Sequence, residues 1–393
     1  MNILYFSTLC SRRLLLVFFE KGNRKPVYSI QKLHRLLATG FVENGAEVFT
    51  MTSMPFPQGV YGKRIKEADE TEDGIHYHYA STWDLPVIKR LGQFFSSFFH
   101  VLGWCMRHKD NVVVFDVLNV SGCMGGLVAS KLTRTKTLGI VTDLPGYMSK
   151  EPGEHQSWNS RVNMSYMNSF SMYVLLTEQM NEKINLKCRP YIVMEGLVDH
   201  TMKPEKRMPD KDKRILVYAG GLYEKYGVKM LVEAYLNIMG MFPDTEMHIY
   251  GDGEMRDWLK KKDEKYSQFI YFGPRTNDEV VADELKATLL INPRPTHEDF
   301  TKYSFPSKNI EYMCSGTAMI TTHLPGMPKE YWDKVYLFEE ETVKGYQRIL
   351  EILLSKPREE LDERGRLGQR FVLEKKNNVV QAKRVMGLIN KNK

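Results

Sequence analysis

The stretch FPSKNIEYMCSGTAMITTHLPG, residues 305–326, decides how this chain is read. Pro306 predicts the first turn of a short helix, where its fixed φ fits and its missing N–H costs nothing. Glu311 falls about one turn in, at the helical spacing of 3.6 residues. Gly316 closes the helix, and the apolar run 318–320 follows as a buried strand. A carboxylate on the first turns of a helix, beside an exposed helix N-terminus, suits a nucleotide sugar. Two ribose hydroxyls can donate to the carboxylate, and the helix N-terminus attracts phosphate.

Outward from this stretch, apolar runs alternate with helical segments almost throughout, which predicts an α/β protein with parallel sheets. In the first half, strands are expected at 2–6, 47–51, 112–115, 137–141, 172–176 and 191–194. A helix over 30–43 ends at Asn44-Gly45. The second half restarts the rhythm, with strands at 214–219, 246–250, 269–272, 288–292 and 318–321, a helix over 228–239 and a glycine turn at 251–253. Between the halves, residues 200–213 (HTMKPEKRMPDKDK) are charged, bear prolines and are almost free of apolar side chains, so they read as a linker. Two Rossmann-like halves joined this way are expected to leave a cleft, and ligands of such sheets bind at the carboxyl ends of the strands. Residues 361–393 read as helical and charged, and no short-period repeat is present.

The bulk numbers fit this reading. A chain of 393 residues allows two or three domains with full cores. The net charge of +7 admits a nucleic acid, an anionic substrate or a membrane surface. No zinc-finger, basic-zipper or RNA-binding signature occurs, which argues against nucleic acid. Cys10, Cys105, Cys123, Cys188 and Cys314 are far apart with no Cys-x-x-Cys pair, the usage of reduced thiols in a cytosolic compartment and not of a structural zinc. MNILYF at the start reads as a strand and not as a secretory leader, and no apolar run reaches the roughly 18 residues of a membrane span.

Four landmarks occur in order in the second half: Tyr218-Ala219-Gly220-Gly221-Leu222 followed by Tyr226-Gly227-Val228; His248-Ile249-Tyr250-Gly251-Asp252-Gly253; Tyr271-Phe272-Gly273-Pro274; and the segment 305–316. Glu195-Gly196-Leu197-Val198-Asp199 closes the first half. Together they resemble the retaining glycosyltransferases of the GT-B fold, in the large family four. The resemblance implies two Rossmann-like domains facing across a cleft. It implies an acceptor domain over 1–200, a linker at 201–213, a nucleotide-sugar domain over 214–370, and a helix at 371–393 that crosses back to the first domain. It implies donor contacts from Gly220, Gly221, Gly251, Ser307 and Glu311. The chain also departs from the family pattern. The family's diphosphate-neutralising Arg and Lys fall here on Gly221 and Tyr226, with Lys225 one residue out of register, and the first of its two glutamates falls on Tyr303. Donor binding is therefore expected to draw on Lys225, Arg275, Arg294, Lys302 and Lys308, which lie at strand ends or beside the signature.

Each candidate has a plainer reading. Glu311 can be a solvated helix residue, but its place in the signature favours a ribose contact. A cation at Lys308 is disfavoured by the helix dipole, a cost that a bound phosphate would offset. Arg275 and Arg294 are either surface charges or diphosphate ligands. Asp143, just past a strand end, either caps a turn or stands near the reacting sugar, where the family carries a His or Asp. Asp116 and Asn119 follow another strand and are candidates for the acceptor, with Asn119 equally a turn residue. The catalytic set expected is Asp143, Lys308 and Arg275.

Residues 86–108 (PVIKRLGQFFSSFFHVLGWCMRH) place Leu91, Phe94, Phe95, Phe98, Leu102 and Cys105 near helical spacing, with Lys89, Arg90, Arg107 and Lys109 flanking. Such a helix packs on a Rossmann sheet or lies in a membrane interface. The run 12–19 (RRLLLVFF) is placed in the loop region after the first strand, its apolar residues meeting either an acceptor lipid or the 94–99 segment. His76, His78, His155, His297 and His323 show no metal-ligand spacing, so neither a metal nor a cofactor is expected. No Ser/His/Asp set or Gly-x-Ser-x-Gly elbow occurs. The expected function is a metal-independent hexosyltransferase that keeps anomeric configuration. It would take a UDP- or GDP-type sugar to a saccharide or lipid-linked saccharide in capsule or exopolysaccharide assembly, in the cytoplasm or at the inner face of the plasma membrane. The alternatives are a non-catalytic GT-B subunit and a nucleotide-sugar epimerase.

Overall fold

The computed structural model describes residues 1–21, 27–53, 67–81, 86–147, 158–202 and 207–392. His155 and linker positions 203–206 lie outside the described residues. The chain divides into two compact units, one formed by Met1–Asp199 with Asn377–Lys393 and the other by His200–Lys376.

The first unit runs β1 (Asn2–Ser7), α1 (Arg12–Lys21), α2 (Tyr28–Glu43), β2 (Glu47–Thr52), β3 (Glu70–Glu72), β4 (Ile75–Tyr79), α3 (Pro86–Arg107), β5 (Asn111–Asp116), α4 (Val120–Leu132), β6 (Lys136–Val141), α5 (Trp158–Met167), β7 (Met172–Leu175), α6 (Gln179–Ile184) and β8 (Tyr191–Val193). Among the described residues these strands make one sheet in the order β3-β4-β2-β1-β5-β6-β7-β8. Every pairing is parallel except that of β3 with β4. The central strands are buried on both faces, which is why they read as unbroken apolar runs.

The second unit runs β9 (Arg214–Ala219), α7 (Val228–Ile238), β10 (Thr245–Tyr250), α8 (Arg256–Asp263), β11 (Phe269–Gly273), α9 (Asn277–Lys286), β12 (Leu289–Asn292), α10 (Ser307–Ser315), β13 (Ala318–Thr322), β14 (Tyr336–Phe338), α11 (Val343–Ser355) and α12 (Arg358–Lys375). Its sheet is wholly parallel, in the order β11-β10-β9-β12-β13-β14. This is a doubly wound sheet whose strand order reverses between β9 and β12, the place where such folds bind ligands.

The structure corrects one sequence expectation and adds to the sequence reading at two other places. Residues 14–19 are not loop but the body of α1. Ser11 caps that helix, accepting from the Leu14 N–H at 3.1 Å. Leu14 and Phe18, one turn apart, enter the core. Glu70 on β3 anchors the start of α1, bonded by Ser11 (2.6 Å), Tyr79 (2.6 Å) and Arg13 (3.0 Å). Burial opposes the Glu70 charge, but these bonds prevail and hold its pKa down to about 2. Second, the strand order includes β3 and β14, which are only three residues long and polar or mixed in pattern. Third, the stretch 361–393, read as helical, is helical and divides between two helices. Asn377 accepts from the Val380 N–H at 2.9 Å and starts a separate helix, α13 (Asn378–Lys391). Helix α13 packs on α2, with Ala382, Val385 and Ile389 in the first unit's core.

Helices α3 and α4 are held at close range. A Cβ on Gly125 would lie 2.1 Å from the Phe94 carbonyl oxygen, and the Ser97 hydroxyl donates to the Gly122 carbonyl at 2.7 Å. Because the clash is with backbone, Gly125→Ala is expected to cost about 2–3 kcal/mol, read as a fall in melting temperature. On α3, His100 stacks on His78 at 4.2 Å. Burial, then the charges of His78 and Arg107, lower its pKa to about 4. The unfolded chain therefore binds the extra proton first. Stability from this group is full above the ordinary histidine pKa and falls as pH drops towards 4. His100→Phe is expected to flatten that part of a stability-against-pH curve measured by urea unfolding.

Candidate functional site

At the reversal point of the second sheet a small hollow opens to solvent. Gly220 and Gly221 after β9, Asn292 and Arg294 at the end of β12, and Pro306, Lys308 and Tyr312 of the α10 region line it. Two constraints fix its walls. The Tyr312 hydroxyl accepts from the Ala219 N–H at 2.8 Å, tying α10 to the end of β9. Gly251 has φ 131°, and a Cβ there would lie 1.9 Å from the Gly220 carbonyl oxygen, so the two glycine turns can only touch as backbone. Helix α10 starts after Pro306 and ends at Gly316 in the left-handed region (φ 75°).

Two of the expected cations line the hollow, and they differ electrically. Lys308 is clamped between Glu284 and Glu311, each 3.2 Å from its ammonium. Burial disfavours the Lys308 charge, but Glu284 and then Glu311 more than offset this and raise its pKa. Glu284 is 2 % exposed, and burial raises its pKa while Lys308 pulls it back. Arg294 has no carboxylate in ion-pair range among the described residues. Its guanidinium carbon lies 4.9 Å from the Tyr226 ring centre and 5.4 Å from that of Phe300, its Nη1 reaches Ser304 Oγ at 3.5 Å, and its Nε is buried with no partner. Burial lowers its pKa from the ordinary value, yet a guanidinium stays charged.

The other sequence candidates are scattered. Glu311 is 40 % exposed beside Lys308, and Ser307 is exposed at the first turn of α10. Lys225 approaches the same two rings as Arg294, at 5.7 Å and 5.5 Å, but does not line the hollow. Arg275 lies off the hollow, half-exposed and 3.8 Å from Glu279, and Lys302 is exposed and bonded to Asp299 at 2.9 Å. The structure does not gather these two with Lys308.

In the first unit, Asp143 follows β6. One oxygen accepts from the Leu144 N–H at 2.7 Å, and burial raises its pKa. Asp116 ends β5 and is 3 % exposed. Its oxygens meet His34 Nε2 at 3.3 Å and the Leu118 N–H at 3.2 Å, which commits it to the interior instead of to an open acceptor site. His34 in turn meets the Tyr5 hydroxyl at 2.7 Å. Asn119 precedes α4, and its buried Nδ2 has no partner among the described residues. No group of three or more His, Cys, Asp or Glu able to hold a metal occurs among the described residues.

Sequence reasoning missed Glu284. It falls one turn after Val280, on the buried side of α9, and a charged residue at a core position was the available signal. It also left Tyr226 as a mere loss of charge, whereas the ring carries Arg294.

Residues 199–370 match the family model of glycosyl transferases group 1. No curated protein matches. Among solved structures, the chain is similar to sucrose-phosphate synthase from Thermosynechococcus elongatus (TM-score 0.64, 12 % identity, covering 100 % of this chain and 99 % of that one). It is similar to TarM (0.65, 12 %, 99 % and 99 %) and to the HepE protein of Anabaena in complex with UDP (0.61, 12 %, 100 % and 100 %). The fold is GT-B, with two Rossmann-like units built on parallel sheets.

Removing Glu284 leaves Lys308 partly buried with one partner instead of two. Glu284→Ala is expected to destabilise by about 1–3 kcal/mol, while Arg348→Ala, which breaks an exposed pair with Glu340, stays within about 0.5 kcal/mol. Urea unfolding of both variants checks the contrast.

Proposed function

We propose that this chain is a glycosyltransferase that moves a sugar from a nucleoside-diphosphate donor to an acceptor hydroxyl, with retention and without a metal. The observation that carries the reading is Arg294. It is a cation at the wall of a hollow at the sheet's reversal point and, among the described residues, its buried Nε has no partner and no carboxylate lies in ion-pair range. A diphosphate would supply the missing anion. The free N–H groups at the start of α10 would add hydrogen bonds and the dipole. Glu311 would accept from ribose hydroxyls. Lys308, already balanced by two carboxylates, would adjust to the donor more than attract it.

In the proposed reaction the sugar–phosphate bond breaks as the acceptor oxygen approaches from the same face. The leaving phosphate oxygen takes the acceptor proton. Negative charge grows on the diphosphate, and Arg294 stabilises it where it develops. The first unit would hold the acceptor, with Asp143 offering its second oxygen to a sugar hydroxyl and Asn119 its unpartnered amide. The solved HepE structure contains UDP, which favours a uridine donor here. The family match over the second unit and the likeness of both units to glycosyltransferases support the transfer reaction. A saccharide on a lipid carrier, in capsule or exopolysaccharide assembly at the inner face of the plasma membrane, is the acceptor proposed. A second reading, a nucleotide-binding subunit without turnover, draws on Tyr226 in the place of the lysine expected from the resemblance.

UDP and GDP are expected to raise the melting temperature, since a ligand stabilises the state it binds. Arg294→Ala removes charged bonds to phosphate, about 1.5–3 kcal/mol or roughly ten- to a hundredfold in Kd. Glu311→Ala should weaken nucleotide binding by about tenfold. Slow release of nucleotide from the matching nucleotide sugar identifies the transferase, and binding without release the silent subunit. Unchanged affinity in both variants, by calorimetry, would overturn the site.

A further inference from the structure

The first unit carries an apolar face that its own core does not use. On α3, Leu91, Phe95, Phe99 and Met106 are 55 %, 53 %, 65 % and 69 % exposed. Their spacing of four, four and seven residues puts them on one side of the helix. On α4, Met124, Val128 and Leu132 are 41 %, 42 % and 66 % exposed, again one turn apart. The two helices pack against each other through Phe94, Ser97, Gly122 and Gly125. Their opposite sides are buried, Trp104 of α3 against Phe49 of β2 and Gly126 of α4 against Phe115 of β5. The two exposed ridges therefore run side by side on the outward face of one helix pair.

The charge around these ridges has one sign. Arg107, Lys109, Lys131, Arg134 and Lys136, all exposed, cluster where α3 and α4 end. None has a carboxylate in ion-pair range among the described residues. The acids between positions 86 and 136 are Asp110 and Asp116, and Asp116 is buried against His34. Basic residues at helix C-termini also favour the dipole, but that does not account for aromatic side chains left in water beside them. No helix among the described residues is long and apolar enough to cross a membrane.

We propose that the paired outer faces of α3 and α4 form a docking surface for an anionic lipid bilayer. The helices lie in the interface, with Phe95, Phe99 and Leu132 entering the headgroup–acyl boundary. The cations at their ends meet lipid phosphates. A bilayer suits these observations better than a protein partner. It satisfies a convex apolar ridge without a matching groove, and its single charge sign complements a patch with unpaired cations only. The surface shares no residue with the nucleotide site, so its test does not depend on transfer activity.

The full chain is spun with vesicles of phosphatidylcholine alone and of phosphatidylcholine mixed equally with phosphatidylglycerol. The bound fraction should rise at least about tenfold with the anionic lipid and fall with added salt. Phe95→Ser with Phe99→Ser, and separately Lys131→Glu with Arg134→Glu, should each reduce binding at least about tenfold. These side chains are exposed, so the melting temperature should hold. A variant that does melt early is replaced by Met106→Ser with Leu132→Ser. Equal partition into both vesicle types, or binding unchanged in the variants, overturns the proposal. So does a shift from dimer to monomer in the ridge variants, by light scattering, without loss of vesicle binding.

Discussion

The candidate donor site depends on the reversal of strand order between β9 and β12. Crossovers on one side of this point place α7 with α11, and those on the other place α10 with α9 and α12. The two helix layers diverge there and leave a crevice at the strand ends. A crevice of this kind has to be held open by something stiffer than a loop. Here the tie is the Tyr312 hydroxyl on the Ala219 backbone, fully buried, together with the backbone contact of Gly251 on Gly220. Side chains larger than hydrogen at Gly251 would push the second turn away and change the shape of the hollow.

Within that frame the electrostatics separate two cations that look alike in the sequence. A lysine on the first turn of a helix faces an unfavourable dipole, and Lys308 answers it locally with Glu284 and Glu311. Its charge is largely spent inside the protein. Arg294 is held differently, by the faces of Tyr226 and Phe300. An aromatic face orients a guanidinium without neutralising it, and its planar fork matches two phosphate oxygens. The site thus keeps its attraction for an anion in one residue and its rigidity in others. An arginine buried without an anion is costly, which is the physical reason to expect one to bind there.

Much of this was legible in the chain itself. Continuous apolar runs gave the central strands because both faces of each sheet are covered, and Gly316, Gly45 and Pro306 marked helix ends through conformations few other residues adopt. What stayed hidden was tertiary. Short edge strands such as β14 lack the length to show a period. The helix at 12–21 was obscured because its cap, Ser11, works jointly with Glu70, some sixty positions away in sequence. Glu284 looked like an ordinary helix carboxylate, since nothing local reveals that Lys308 will sit opposite. Asp116 followed a strand as an acceptor ligand would, but His34 from α2 claims it.

That capture of Asp116 narrows what the first unit can offer a sugar. A carboxylate that is 3 % exposed, accepts from the Leu118 N–H with one oxygen and lies 3.3 Å from His34 Nε2 with the other is turned into the interior. Among the described residues Asp143 has no such partner, and one of its oxygens accepts from the Leu144 N–H. Partial burial raises its pKa, which reports a site of low polarity where a hydrogen bond from a hydroxyl is strong. In the transfer proposed above the leaving phosphate takes the proton, so the acceptor side would need orientation more than basicity. A half-buried carboxylate whose one oxygen is already fixed by a backbone N–H would meet that need better than a fully ionised base exposed to water.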